Sequence, residues 1–259
     1  MIFSSLYGER ITRELSNADT TELFTTARRK QAINEGQEEF ARLTKCLLRR
    51  STVTVTGGTA EYDLNSTAII AGGDFAEWAV ETPVFTYTDA SSEVTVQSGE
   101  DFLRRDITWL NRYDPGWQTS TISSGMVVPT VWYERFDGPA RFMGLVPMPS
   151  TGSSASAKLT IPYVARPTPL TSDSQEPFMV NSSVRSDLRW YHQALVHYAA
   201  HQLEKLRPDP QASAQQLQRF LGYVTSYLQD TRIKGGTALT FARRYFVRGG
   251  KDDRKDPRT

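Results

Sequence analysis

TVTVTGGTAEYDL, Thr52–Leu64, decides how this chain is to be read. Apolar and polar residues alternate on both sides of Gly57-Gly58, and a period of two around a glycine pair predicts a β-hairpin. The sequence on either side of the β region it opens keeps a different period. Upstream, Asp19-Thr20-Thr21-Glu22 has the spacing of a capping box with aspartate in the cap position. Ile33, Gly36, Phe40, Leu43 and Leu47 then recur in steps of three and four, with Arg28, Arg29, Glu35 and Glu38 largely off that face. This predicts one long helix from Thr20 to Arg50.

Downstream the period of two continues. TPVFTYT and EVTVQ, joined by DASS, predict a second hairpin, and VPTVWYERF and ARFMGLVP around Asp137-Gly138-Pro139 a third. KLTIPYVARP supplies a further strand, placed at a sheet edge by Pro162. Between them GEDFLRRDITWLNRY reads as a short helix ended by Asp114-Pro115-Gly116. Helical spacing returns with Leu188, Tyr191, Leu195, Ala199, Gln202 and Leu206, stopped by Arg207–Pro210. A last helix carries Ala214, Leu217, Leu221, Val224 and Leu228, a stripe that matches residues 33–47 and predicts that the two helices pack together. The fold class is therefore α+β. A helical bundle core, one N-terminal and two C-terminal helices, carries an inserted antiparallel β-sandwich or barrel-like domain and an extended C-terminal tail. The divisions fall at residues 1–50, 51–168, 169–234 and 235–259.

Composition narrows the function classes. The 259 residues contain 39% hydrophobic and 23% charged side chains, with a mean hydropathy of −0.46. No run approaches the roughly 18 apolar residues of a membrane span, and the N-terminus lacks the pattern of a secretory signal. The single cysteine, Cys46, excludes an intrachain disulfide and fits a reducing compartment. Lys45 and Arg49 beside it would favour a thiolate, but a packing role is the commoner use of a lone cysteine. Charge is segregated: from Arg232 onward nine Lys/Arg and three Asp give +6, which leaves −5 on the rest of the chain.

Motifs for chemistry are sparse. There is no phosphate loop of the G-x-x-x-x-G-K type, no G-x-S-x-G and no H-E-x-x-H. His197, His201 and Glu204, spaced i, i+4, i+7, form a possible metal-ligand set. The helical wheel turns that trio away from the Leu188/Leu195/Leu206 stripe, which argues against a dry metal site and for solvent exposure or a neighbouring subunit. Trp190 on the same face favours a subunit contact by Trp190, His197 and His201. No catalytic, cofactor or metal residue is assigned. Trp109, Tyr113, Trp117, Trp132, Tyr133 and Phe136 could stack on bases or sugars, although adjacent Trp132 and Tyr133 face opposite sides of a strand, so one of them belongs to the core.

The order of motifs resembles a known family. RKQAINEGQEEF (Arg29–Phe40) is followed by the EYDL hairpin, WLNRYDPGW (Trp109–Trp117), VPTVWY, GLVPMPS, LTIPYVARP and a helix with ALVHYAAH. Over roughly residues 10–230 this resembles the head-to-tail adaptor (connector) proteins of tailed phages, in the larger form with an inserted β-domain. The resemblance implies a structural part, not an enzyme. It implies a ring, usually of twelve copies, beneath the portal protein, with a downstream tail or nozzle protein as second partner. DNA would pass through the channel without sequence-specific binding, and no membrane or cofactor is involved. The protein would be assembled in the host cytoplasm and reside in the virion at the head–tail junction. Another tail structural or receptor-binding module using the β-domain is the alternative.

The tail GGTALTFARRYFVRGGKDDRKDPRT, Gly235–Thr259, completes the picture. Leu239, Phe241, Arg243, Tyr245 and Val247 share one register, and Arg244, Phe246 and Arg248 the other. A strand of this kind suits docking to a partner's sheet edge or groove, and the resemblance points that use at the portal. A solvated tail, a strand folded onto its own β-domain and a DNA contact remain open, the last diluted by Asp252, Asp253 and Asp256.

Overall fold

Where the hydrophobic period is three to four the chain is helical, and where it is two it forms sheet, in separate units. The computed structural model describes residues 1–15, 24–79, 81–88, 94–97, 102–117, 128–149, 157–206 and 210–235. One unit comprises Met1–Cys46 with Pro167–Thr259, the other Leu47–Arg166. The fold class is α+β.

The helical unit begins with α1 (Phe3–Ser5), a wider helical turn (Leu6–Arg10) and α2 (Ile11–Glu14). Phe3, Leu6 and Ile11 are fully buried. Lys30 fastens this segment: its Nζ lies 2.9 Å from Asp173 Oδ1 and 4.7 Å from the centre of the Tyr7 ring. Helix α3 (Thr26–Thr44) starts where the Thr25 hydroxyl accepts the Arg28 N–H at 3.3 Å, an N-cap; the Asp19–Glu22 capping box lies outside the described residues. The helix ends at Thr44 rather than Arg50, because Lys45 turns left-handed at φ 56°. The apolar spacing ran past this end because Cys46 and Leu47 are also buried, in a loop rather than a helix. Burial pushes the Cys46 thiol up to about 12, which makes it a packing group and not a nucleophile.

A 3-10 turn at Ser186–Tyr191 leads into α5 (His192–Glu204), and α6 (Pro210–Gly235) follows. The central helix is α5, which packs against both α3 and α6. Gly36 allows the first approach: a Cβ there would stand 3.2 Å from Tyr198 Cδ1. The expected direct packing of α3 on α6 reduces mainly to Phe40, whose ring centre lies 6.3 Å from Phe220 and 5.8 Å from Tyr227. The α6 core stripe is also rotated from the one read in the sequence. Ser213, Gln216, Phe220, Val224 and Leu228 are buried, Leu217 and Leu221 only half-buried, and Ala214 is exposed. Polar residues hold the buried face because α5 meets them with histidines.

The second unit holds β1 (Leu48–Thr54), β2 (Glu61–Asp63), β3 (Phe75–Trp78), β4 (Val84–Thr88), β5 (Val94–Gln97), β6 (Leu103–Arg104), α4 (Ile107–Tyr113), β7 (Val131–Asp137), β8 (Ala140–Val146) and β9 (Ala157–Ala165). The stretch Thr52–Leu64 is not a hairpin. β1 pairs with β9, from Leu48↔Val164 to Thr54↔Lys158, whereas β2 pairs with β8. Gly57-Gly58, with Gly58 at φ 80°, hands the chain from one sheet to the other. The β4–β5 and β7–β8 hairpins form as expected. Pro162 lies in a central strand, since β9 has β1 on one side and β3 and β4 on the other. Ala79 N–H donates to the Pro162 carbonyl at 3.4 Å, so the missing proline N–H faces the seam between β3 and β4, where a donor is least missed.

Trp132 and Tyr133 are both buried, because both faces of β7 are covered. Trp132 meets Trp78 of the other sheet at 4.7 Å, and Tyr133 packs with Trp117, Leu110 and Val146. Gly144, directly opposite Tyr133, has no room for a side chain, since a Cβ would fall within the Tyr133 ring. The EYDL motif is thereby explained. Glu61 receives the Tyr133 hydroxyl at 2.8 Å and two bonds from Arg135, Tyr62 and Leu64 are core, and Asp63 Oδ1 accepts the Asn65 N–H. The Arg135 bonds hold the Glu61 carboxyl below its usual range.

Candidate functional site

The outward histidine face expected on α5 does not exist. His197 and His201 are 6% and 7% exposed, and Glu204 1%. The wheel placed them opposite the leucine stripe correctly, but α5 is enclosed on several sides, so the side opposite one core face is another core face. His197 Nδ1 lies 2.8 Å from Gln216 Oε1, and His201 Nδ1 lies 2.9 Å from both the carbonyl and the hydroxyl oxygen of Ser213. These bonds join α5 to α6. Burial pushes His201 below its ordinary value. Among the described residues, no group of three or more His, Cys, Asp or Glu is placed to hold a metal ion.

The remaining histidine, His192, is fully buried beside the Phe178 ring, and neither ring nitrogen has a hydrogen-bond partner. Burial pushes it down to about 4, reinforced by the nearby N-terminal amine, Arg189 and Arg10 and opposed by Glu176.

Trp190 stands apart from this core. At 86% exposure it projects from the turn that enters α5, while its neighbour Tyr191 turns inward and donates its hydroxyl hydrogen to Asp230 Oδ2 at 2.5 Å. Near that end, α5 and α6 leave an open depression of about 470 Å3 lined by His197, Arg219, Gly222, Tyr223 and Ser226. The His197 and Tyr223 rings stack at 5.7 Å and 24°, and Arg219 is held at its rim by Glu14 at 2.9 Å. In the β unit, α4 exposes Trp109 and Tyr113, with Arg105 4.8 Å from the first ring and Arg112 5.5 Å from the second. Phe136 is exposed under Arg141, whereas Trp117 is core. The tail residues Leu239, Phe241, Arg243, Arg244, Tyr245, Phe246, Val247 and Arg248 lie outside the described residues.

These features are rings and guanidiniums at surfaces. They are suited to contact with other surfaces. The family model described as SU10 adaptor protein matches residues 1–242. The chain belongs to the SU10 adaptor protein family. The resemblance to phage head-to-tail adaptors therefore holds across the helical unit, the β unit and the first residues of the tail. None of the curated proteins matches the chain.

In this adaptor, sequence reasoning missed the depression on α6. Gly222 carried a usable signal: a glycine inside a long helix costs about 1 kcal/mol relative to alanine, so its presence asks for a reason. The contacts of Arg219 and Tyr223 left no such mark, because their partners Glu14 and His197 come from distant parts of the sequence.

Proposed function

We propose that this adaptor forms a ring of twelve copies beneath the portal, extends the channel through which the genome leaves and offers a platform to a downstream tail or nozzle protein. The observation that carries this reading is the family match over residues 1–242. The protein is structural and non-catalytic, is assembled in the host cytoplasm and ends at the head–tail junction of the virion. No helix among the described residues is long and apolar enough to cross a membrane.

Trp190 is the lateral contact between copies, since a fully projecting indole is a typical anchor. His197 and His201 take no part, being occupied within their own chain. Leu239–Arg248 is the portal-docking arm, its alternating aromatic and basic residues suited to a groove or sheet edge. The −5 carried by the rest of the chain suits a conduit, where repelled phosphates slide instead of sticking.

Co-purification with the cognate portal tests the reading, comparing the full chain with one ending at Lys234. The full chain is expected to be retained as rings visible by negative-stain microscopy, and the truncated chain to be lost. Equal retention of both would remove the arm from portal docking.

A further inference from the structure

We propose that β1 of one copy pairs antiparallel with β5 of the next, so that the larger sheet of the β unit runs on from subunit to subunit. The inference rests on the ring reading and adds a backbone seam between neighbours to the contact made by Trp190.

The larger sheet has the strand order β1-β9-β4-β5, with β3 also on β9, so β1 and β5 are its outer strands. Ala165 N–H donates to the Leu47 carbonyl and Val55 N–H to the Ala157 carbonyl, each at 2.9 Å. Opposed residues in an antiparallel ladder alternate between bonded and unbonded pairs, so between those two bonds Arg49, Ser51 and Val53 bond to β9. Leu48, Arg50, Thr52 and Thr54 therefore turn their N–H and C=O groups away from it. All four residues are exposed, and among the described residues no strand pairs with them on that side. Nor is this edge guarded along its length as lone edges usually are. Arg50 is held by Glu81 at 2.7 Å, and Ser51–Thr54 has no charge, no proline and no break in register.

The other end of the same sheet selects a second copy as the occupant. The alternation carries across: Lys158 and Thr160 bond to Thr86 and Val84 of β4, which leaves Phe85 and Tyr87 to bond Gln97 and Thr95 of β5. Val94 and Val96 thus present their backbone groups on the far side, where no described strand pairs with them. Four antiparallel strands in succession make the two outer strands run in opposite directions. Copies that all point the same way, as a ring requires, then bring β1 against β5 antiparallel. Thr54, Lys158, Thr86 and Val96 lie in one row across the sheet, so the open residues of both edges fall on the same level of the pleat. Free groups meet free groups without turning the buried face of the sheet outward. An odd number of strands would have failed both conditions. The edges of the smaller sheet, β2 with three residues and β6 with two, are too short for such a seam.

Cross-linking between copies tests the seam. Full chains carrying Val96→Cys are mixed with chains carrying Arg50→Cys, Thr52→Cys or Thr54→Cys and assembled with the cognate portal; the native Cys46 is buried. Directly opposed residues of a bonded pair lie about 5.5 Å apart, within reach of a disulfide. Under mild oxidation at least one mixture is expected to cross-link at least tenfold faster than Val96→Cys with Gln218→Cys, an exposed position on α6. A smaller excess in all three mixtures overturns the seam. Thr52→Pro gives a second measure, because it removes an N–H that the single chain leaves unused, whereas Thr52→Val keeps it. Both variants lose the contact between the Thr52 and Thr160 hydroxyls, so the comparison isolates the backbone donor. Ring assembly in sedimentation is expected to fall at least tenfold for Thr52→Pro relative to Thr52→Val, and equal assembly counts against the seam. Rings that form without the cross-link overturn the seam and leave the ring reading intact, while absence of rings from the unsubstituted chain overturns both.

Discussion

The two units bury polar groups by opposite means. The helical unit holds all three histidines of the chain, two bonded between helices and one enclosed without a partner. The β unit holds none, and its main ionic cluster, Glu61 with Arg135 and Tyr133, is half open to water. One core therefore carries its acid-sensitive group within its packing, while the other depends on shape, above all on the bare backbone of Gly144 under the Tyr133 ring, and meets acid at the Glu61 carboxylate. The difference teaches that acid reaches one unit through a buried imidazole and the other through a half-open carboxylate.

The comparison can be broken at several points. Gly144→Ala drives a methyl into the Tyr133 ring and should cost on the order of 3 kcal/mol, read as lost hydrogen-exchange protection in residues 47–166 with the helical unit spared. Equal loss in both units would show that their stabilities are not separable. Mild acid should act first on the helical unit. His192 is held at about 4 against an ordinary 6.5, so the unfolded chain takes up the proton first. The contribution of the neutral ring is complete above pH 6.5 and is lost as pH falls toward 4, by at most about 3 kcal/mol. His192→Leu should flatten that window in urea titrations, and a slope that survives the substitution would place the sensitivity elsewhere. Thr25→Ala, which removes the cap of α3, should lower stability by about 1 kcal/mol and fray the helix start. Trp190→Ala should change the stability of the free chain by no more than about 0.5 kcal/mol, yet reduce ring assembly in sedimentation; unaltered assembly would discard it as the lateral contact.

Period was the legible part of the sequence. It separated helix from strand, found the β4–β5 and β7–β8 hairpins and located Ile33, Gly36 and Phe40 on the core face of α3. Partnership was not legible. Gly57-Gly58 announces a turn but not that its two arms belong to different sheets, because pairing is decided by β8 and β9, far along the chain. The histidine face of α5 failed for a related reason: a wheel gives directions around a helix, not the number of neighbours in those directions. Trp190 was read correctly as exposed because it precedes the enclosed part of α5.

The pairing of β1 with β9 has a consequence for synthesis. Leu48 leaves the ribosome well before its partner Val164, and at about 5–20 residues per second the first strand must wait for several seconds with its edge unsatisfied. Helix α3 waits longer still, because α5 and α6, which cover it, are made only after the whole insertion. Arg49 and Arg50 sit at the start of that waiting strand, and paired positive charges on an open edge discourage a neighbouring nascent chain from joining it. The newborn protein is thus guarded by charge through the interval before its last helices arrive.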